Sequence, residues 1–380
     1  MDAITNSDEL RGVPATFMRG GTSKGLFFRW EDMPDDCDAF LCAAIGSPDP
    51  NGRQLDGMGG GISSLSKAML VRRSDRDGVD VDYLFAQVTV DRPLVDYGGN
   101  CGNLSAAVGV FAVNQGYVQL PDGPGVVRMF NENTAKRIDC HLTVRAGRAA
   151  VMGDKVIAGV AGQGAAIRLD FLDPASTRTD ILHVSSKLDK PACRYSFVDA
   201  ANPCLFVPAA DVCVNATELP ADLAARTEVL DLLDEIRRAV GVRVGLGSGP
   251  QDVSESVPKI AIVGAPAASL TLSGETIAAD DCDVQVRMIS MGKPHLAIPL
   301  TGAMCTAVAA RLASSTVADV ARPVEPGVPL RIATPSGVVP AMADVVGGPD
   351  APKVISASVY RTARVLMEGT VFAPDQDRDS

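Results

Sequence analysis

Cations are scarce and dispersed in this 380-residue chain: 35 Lys+Arg stand against 46 Asp+Glu, a net charge of −11. No block of basic residues interrupts the balance, which excludes a phosphate-tracking nucleic-acid surface and leaves an anionic small molecule dependent on a local positive pocket. Aromatic residues make up 4%, with a single Trp. Only three histidines occur, at 141, 183 and 295, none paired at metal-ligand spacing, so no metal site is expected. The nine cysteines (37, 42, 101, 140, 193, 204, 213, 282 and 305) are odd in number and include no CxxC pair, which argues against a disulfide framework and a structural zinc site. Uninterrupted apolar runs stay below the roughly 18 residues that a membrane span needs, and the stretch MDAITNSDELRGVPA has neither a basic n-region nor an apolar h-region. These absences lead us to expect a reducing, cytoplasmic setting, with no nucleic-acid or membrane partner.

Nucleotide and hydrolase motifs are missing as well. Arg19-Gly-Gly-Thr-Ser-Lys24 lacks the GxxxxGK[ST] spacing of a phosphate loop, and Gly245-Leu-Gly-Ser-Gly249 is too short and misplaced for a dinucleotide fingerprint. No GxSxG elbow is present. Hydrophobic residues at 46%, charged residues at 21%, Gly 36 and Pro 25 describe an ordinary folded protein of two domains or one large one.

Strand-like runs recur at Leu26 to Trp30, Val81 to Asp91, Lys259 to Val263, Asp283 to Met288, Val354 to Tyr360 and Arg364 to Phe372. Helical spacing is rarer. It is carried by Leu104, Ala107, Val108 and Phe111 with Gly116 as C-cap, by Cys305, Val308, Ala309 and Leu312, and by Val229, Leu233, Ile236 and Val240 within a longer helix over about 221–240. More strands than helices, in mixed order, predict an α+β fold. The two short helices open alike, after Tyr97-Gly-Gly-Asn-Cys-Gly-Asn103 and after Ile298-Pro-Leu-Thr-Gly-Ala303. Upstream of each lies a similar turn, Met18 to Phe28 and Asp199 to Val207, so the chain reads as two weakly related halves joined near 185–195.

A helix N-terminus presents unpaired N–H groups and the positive end of the dipole; it binds carboxylate or phosphate and favours the thiolate of a cysteine placed there. Cys101 occupies such a place, with Asn100 and Asn103 as capping candidates and glycines 98, 99 and 102 allowing close approach of a ligand. The other cysteines read as small core residues. The glycine-rich stretch Asp56 to Lys67 runs into a serine-rich segment, expected to be helical, that carries one lysine. On residues alone Lys67 is either a solvated surface lysine or, if buried, a base with a lowered pKa. A Schiff-base role with pyridoxal phosphate also stays open, although nothing marks the phosphate and ring sites.

These motifs resemble the PrpF family, which comprises 2-methylaconitate cis–trans isomerase, 4-oxalomesaconate tautomerase and methylitaconate or aconitate isomerases. The matching stretches are 17–28, 45–67, 81–109, 289–303 and 361–372, with the middle, about 145–250, matching weakly. The resemblance implies a diaminopimelate-epimerase-like fold: two similar α+β domains, each a mixed or antiparallel sheet wrapped around a central helix, with the active site in the cleft between them. The domains are expected at 1–188, carrying Lys67 and Cys101, and 189–380, carrying the Thr301-Gly-Ala303 helix start, with the last strands able to cross back to the first domain.

It further implies Lys67 as general base and Cys101 as general acid. Diaminopimelate epimerases use a second cysteine before the second helix. Here that position holds Pro299, with Cys305 displaced into the helix, which disfavours a two-thiol mechanism. The implied reaction is a cofactor-free 1,3-allylic proton shift on an unsaturated di- or tricarboxylate. The expected substrate contacts are Arg19, Thr22, Ser23, Ser66, Asn100, Gly102, Asn103, Lys293, His295, Thr301, Gly302 and Ala303, with Lys24 a weaker candidate. For these the bland alternatives stand alongside: Ser66 as a cap, Lys24 as a solvated cation, His295 as a structurally bonded ring. Two rival classes remain open, a racemase or epimerase of an amino or hydroxy acid and a non-catalytic carboxylate-binding accessory protein. A homodimer is compatible with the sequence but not specified by it.

Overall fold

The computed structural model describes residues 9–374 apart from 99, 180, 190, 191 and 350. The described chain divides into two compact units, 9–169 with 361–374, and 170–360. The expected division at 188/189 runs through a hairpin of the second unit, strand His183–Asp189 paired with Ala192–Ala200.

In the first unit the hairpin Leu10–Gly20 and Ser23–Arg29 is antiparallel, the next strand Lys67–Arg73 joins it in parallel, and Val81–Val88 pairs with that strand antiparallel. Strand Gly123–Asn131 then adds in parallel and Lys136–Arg145 antiparallel. The last strand, Ala363–Pro374, returns to pair along the whole of Leu10–Gly20. The sheet curls around helix Gly102–Asn114, which is apolar on all sides and buried along nearly its full length, as expected for a helix enclosed by a sheet rather than lying on its surface. Gly20 is obligatory for that packing, because a Cβ there would sit 2.5 Å from the carbonyl oxygen of Asn103. A second layer, helix Cys37–Ile45, packs its buried Phe40, Leu41 and Ile45 into a cluster with Leu26, Phe28 and Leu70.

The second unit repeats the pairing order. Ala192–Ala200 with Asn202–Pro208 is antiparallel, Lys259–Gly264 joins in parallel, Val284–Ser290 antiparallel, Leu330–Thr334 in parallel and Gly337–Val346 antiparallel. Its buried helix is Leu300–Ala309.

The α+β expectation holds, and two local expectations do not. The segment before Lys67 is a series of turns, and Lys67 opens a strand instead of riding a helix. Lys-Ala-Met-Leu-Val is stabilised there by neighbours on both sides, a tertiary effect that overrides the local serine and glycine composition. The helix expected over 221–240 is broken at Arg226 (φ −93°, ψ 68°) into Pro220–Ala224 and Thr227–Arg243; the longer piece does bury the stripe Val229, Leu233, Ile236 and Val240.

Candidate active site

Lys67 is the first residue of its strand and stands in register with Gln87 on the antiparallel neighbour. Its side chain is 8% exposed. The ammonium donates to Gln87 Oε1 and lies 4.9 Å from the centre of the Phe85 ring. Gln87 is fixed in turn, its Nε2 donating to the carbonyls of Ser66 (2.9 Å) and Ser63 (3.1 Å). A lysine this buried, with an amide rather than a carboxylate as partner, loses hydration without gaining a counter-ion. Burial therefore lowers its pKa, and the opposing pull of Cys101 does not cancel that shift.

Cys101 is the N-cap residue of helix Gly102–Asn114 and is also 8% exposed, with Sγ 3.9 Å from Ser23 Oγ. The first intrahelical bond runs from Ser105 N–H to the Cys101 carbonyl (2.9 Å), so the N–H groups of Gly102 and Asn103 precede the helical ladder. Asn103 ties three segments together: Nδ2 donates to Thr22 Oγ1 (3.1 Å), and Oδ1 accepts from Arg361 Nε (3.0 Å). Gly21 makes this possible, since at φ +50° a Cβ would lie 2.2 Å from Asn103 Oδ1. Asn100 Oδ1 accepts from Ser105 Oγ at 3.3 Å.

Within the first unit, then, Lys67, Cys101, Thr22, Ser23, Asn100, Gly102 and Asn103 lie together, while Gly99 is outside the described residues. Two other expected contacts are engaged elsewhere. Arg19 alternates with Met18 and Gly20, which face the helix, and its Nη1 donates to the carbonyls of Gly21 and Thr362, both at 3.0 Å. Ser66 is fully buried, its Oγ within hydrogen-bond distance of Gln54 Oε1 (2.5 Å) and the Ile62 carbonyl (2.9 Å), so it secures the loop before the lysine.

Sequence reasoning missed Gln87 and Arg361. Gln87 becomes visible only through strand register. Arg361 was signalled by the motif stretch 361–372 that it opens, and its guanidinium is pulled down to about 10 by burial, with Cys101 acting in the opposite direction.

In the second unit Pro299 is the N-cap residue of helix Leu300–Ala309, the place Cys101 holds in the first. Thr301 and Gly302 lie in its open first turn, whereas the N–H of Ala303 closes on the Pro299 carbonyl (2.9 Å) and is not available to a ligand. Cys305 is fully buried inside that helix, its thiol donating to the Val198 carbonyl (3.3 Å), and burial pushes its pKa up. Lys293 is exposed; His295 accepts at Nδ1 from the Ala297 N–H (3.0 Å). Among the described residues no three His, Cys, Asp or Glu side chains group so as to hold a metal ion, and no helix is long and apolar enough to cross a membrane.

Two units, each a sheet around a buried helix, give the chain the racemase and epimerase fold, with a buried lysine and a helix-capping cysteine interacting in the first unit. A solved hydroxyproline epimerase from Agrobacterium vitis shares this fold with a TM-score of 0.52 at 12% identity, covering 96% of this chain and 94% of that one. The chain matches the PrpF protein family over residues 10–374, belongs to that family, and is an isomerase. It is 37% identical to the 2-methyl-aconitate isomerase of Shewanella oneidensis, over 95% of this chain and 97% of that protein. It is 38% identical to the (4E)-oxalomesaconate Delta-isomerase of Novosphingobium sp., over 95% and 97%. The solved structure of a methylitaconate-delta-isomerase superposes with a TM-score of 0.90 at 36% identity, covering 97% of each chain.

Proposed function

We propose that this isomerase catalyses a 1,3-allylic proton shift on an unsaturated di- or tricarboxylate, with Lys67 as base and Cys101 as acid. One observation carries the reading: a buried lysine whose hydrogen-bond partner is a neutral amide lies within electrostatic range of a buried thiol. Names of relatives acting on methylaconitate and oxalomesaconate, and of a structural neighbour acting on methylitaconate, support the substrate class.

Neutral Lys67 Nζ takes a proton from a carbon flanked by the C=C bond and a carboxylate or keto group. The electron pair left behind spreads into a dienolate. The thiol of Cys101 delivers a proton to the far carbon of the original double bond, and the new double bond forms between the deprotonated carbon and the middle one. One proton leaves the substrate and one arrives, so product and substrate are isomers. Lys67 ends as ammonium and Cys101 as thiolate, and return of one proton from the first to the second resets the pair. The N–H groups of Gly102 and Asn103, which precede the helical ladder, are the donors that would meet the dienolate. General acid and base catalysis of this kind contributes roughly 10²–10⁴-fold.

Incubation with methylaconitate, oxalomesaconate, aconitate and methylitaconate in D2O, followed by proton NMR and ultraviolet absorbance, tests this. Double-bond migration with deuterium at the new C–H position is expected from at least one acid, and no isomer or exchange from any of the four would refute the substrate class. Exchange at one carbon with inversion and no migration would make the protein a racemase. Lys67→Met and Cys101→Ala proteins that kept full activity would remove the proposed roles.

A further inference from the structure

Directly opposite residues of an antiparallel pair share a face of the sheet, with Cβ atoms roughly 4.5–5.5 Å apart, and like charges placed so repel each other. Arg19 on Leu10–Gly20 and Arg364 on Ala363–Pro374 are such a pair. Met18 and Gly20, on either side of Arg19, face helix Gly102–Asn114, so the two arginines lie on the opposite face of the sheet. No acid answers them, in a chain where 46 Asp+Glu outnumber 35 Lys+Arg. Arg19 Nη1 donates only to the carbonyls of Gly21 and Thr362, and among the described residues Arg364 makes no ion pair. Burial, and after it the charge of Arg364, pulls Arg19 below the ordinary arginine range. The pair therefore costs stability as it stands, and an anion between the two guanidinium groups would turn that cost into attraction.

There is room for one. Both arginines line a single cavity of about 600 Å³ that lies wholly within the first unit, and no Asp or Glu lines it. Val151, Ile157, Val160 and Ala363 give the cavity an apolar wall. That wall is tied down by the backbone: Lys155 and Gly164 exchange hydrogen bonds (3.0 and 3.1 Å), and the Ala165 N–H donates to the Val151 carbonyl (2.9 Å). Charge for two carboxylates beside an aliphatic surface describes a preformed site for an organic anion rather than for a bare inorganic one.

We propose that this cavity binds a small aliphatic dicarboxylate, its carboxylates paired with Arg19 and Arg364 and its methylene stem lying on Val151, Ile157 and Val160. The site is separate from that of the proposed proton transfer, because Cys101 caps the helix from which Arg19 points away, and it stands whether or not the isomerase chemistry is as proposed.

Calorimetric titration of the full chain with glutarate, butyrate and inorganic phosphate tests this, in wild type, Arg364→Met, Arg364→Glu and Lys67→Met proteins, with melting temperatures read alongside. Wild type should bind glutarate roughly tenfold or more tightly than butyrate or phosphate, since only the dicarboxylate satisfies both guanidinium groups and the apolar wall. Arg364→Met should weaken glutarate by roughly 10- to 100-fold, as for loss of a charge-assisted hydrogen bond, and Lys67→Met should bind it as wild type does. Arg364→Glu should abolish binding and, without ligand, melt above wild type, because a cross-strand ion pair replaces a repulsion. Absence of glutarate binding in wild type, affinity unchanged in both Arg364 variants, affinity lost in Lys67→Met, or phosphate or butyrate binding as tightly as glutarate each overturns the proposal. A ligand-free Arg364→Glu protein that melts at or below the wild-type temperature removes the uncompensated repulsion on which it is built.

Discussion

Replacing Gln87 by Glu is close to isosteric and makes anionic the neutral oxygen that accepts from Nζ of Lys67, the proposed base. An opposite charge at hydrogen-bond range raises a lysine pKa by roughly 1–3 units, working against the burial that now lowers it. Only the unprotonated amine can take a proton from carbon, so at a pH below the wild-type value the active fraction falls by about 10- to 1,000-fold. The acid limb of the kcat/KM profile should move to higher pH by roughly the same 1–3 units, with activity recovering on alkalinisation. The introduced carboxylate would also forgo the two bonds that Gln87 Nε2 donates to the Ser63 and Ser66 carbonyls, a destabilisation of roughly 1–3 kcal/mol that leaves the fold in place. Two assays separate these effects. The pH–rate profile reads the base, and NMR of lysine labelled at Cε reads the Lys67 titration without substrate. A folded Gln87→Glu protein whose acid limb and Lys67 titration both stay put would refute the idea that an uncharged partner leaves the effect of burial on Lys67 unopposed.

Lys67→Met should abolish isomerisation and raise the melting temperature. With its folded pKa below the ordinary lysine value, Lys67 weakens folding most below that folded pKa, and the penalty fades as pH rises through it towards about 10.4; a Met variant less stable than wild type at neutral pH would contradict this. Gly21→Ala places a Cβ in the left-handed region and 2.2 Å from Asn103 Oδ1, so a loss of roughly 1–3 kcal/mol in denaturant unfolding is expected, with lower kcat as Asn103 is pushed from Thr22 and Arg361. In the second unit Asp283 is 1% exposed and gripped by Arg331 Nη2 (2.7 Å), Nε (3.1 Å) and backbone N–H (2.8 Å). Burial opposes its ionisation, but Arg331 prevails and holds the carboxyl below its usual range. Arg331→Met should cost roughly 2–3 kcal/mol at neutral pH, less than a fully buried pair because Arg331 is partly exposed. The wild-type advantage belongs above the ordinary carboxylate pKa and should vanish as pH falls through the depressed one; a pH-independent gap between the two proteins would count against it.

The parts of the site carried by short contiguous stretches were legible in the residues. Cys101 between glycines and asparagines at a helix start, and Pro299 at the matching start, are facts of local order, and the structure finds both as N-cap residues. The strand period was legible too, though unused: Arg19 sits between Met18 and Gly20, so it must point away from the helix they face. The turn-rich stretch before Lys67 misled, because glycine and serine carry no period from which a strand can be told.

What the sequence by itself determined was the α+β class, the repetition of a turn, strand and buried helix, the acidity that leaves an anion dependent on a few cations, and the identity of one lysine and one cysteine as chemically eligible. Tertiary structure decided what those two residues are. The pKa of Lys67 is lowered because tertiary packing removes water from around its ammonium, and strand pairing sets against it Gln87, 20 residues later, an amide that brings no counter-charge. Arg361 reaches Asn103 across 258 residues because the final strand returns to the first. Proton affinity depends on burial and on the charge of whatever lies within a few ångströms, and neither quantity is a property of neighbours along the chain.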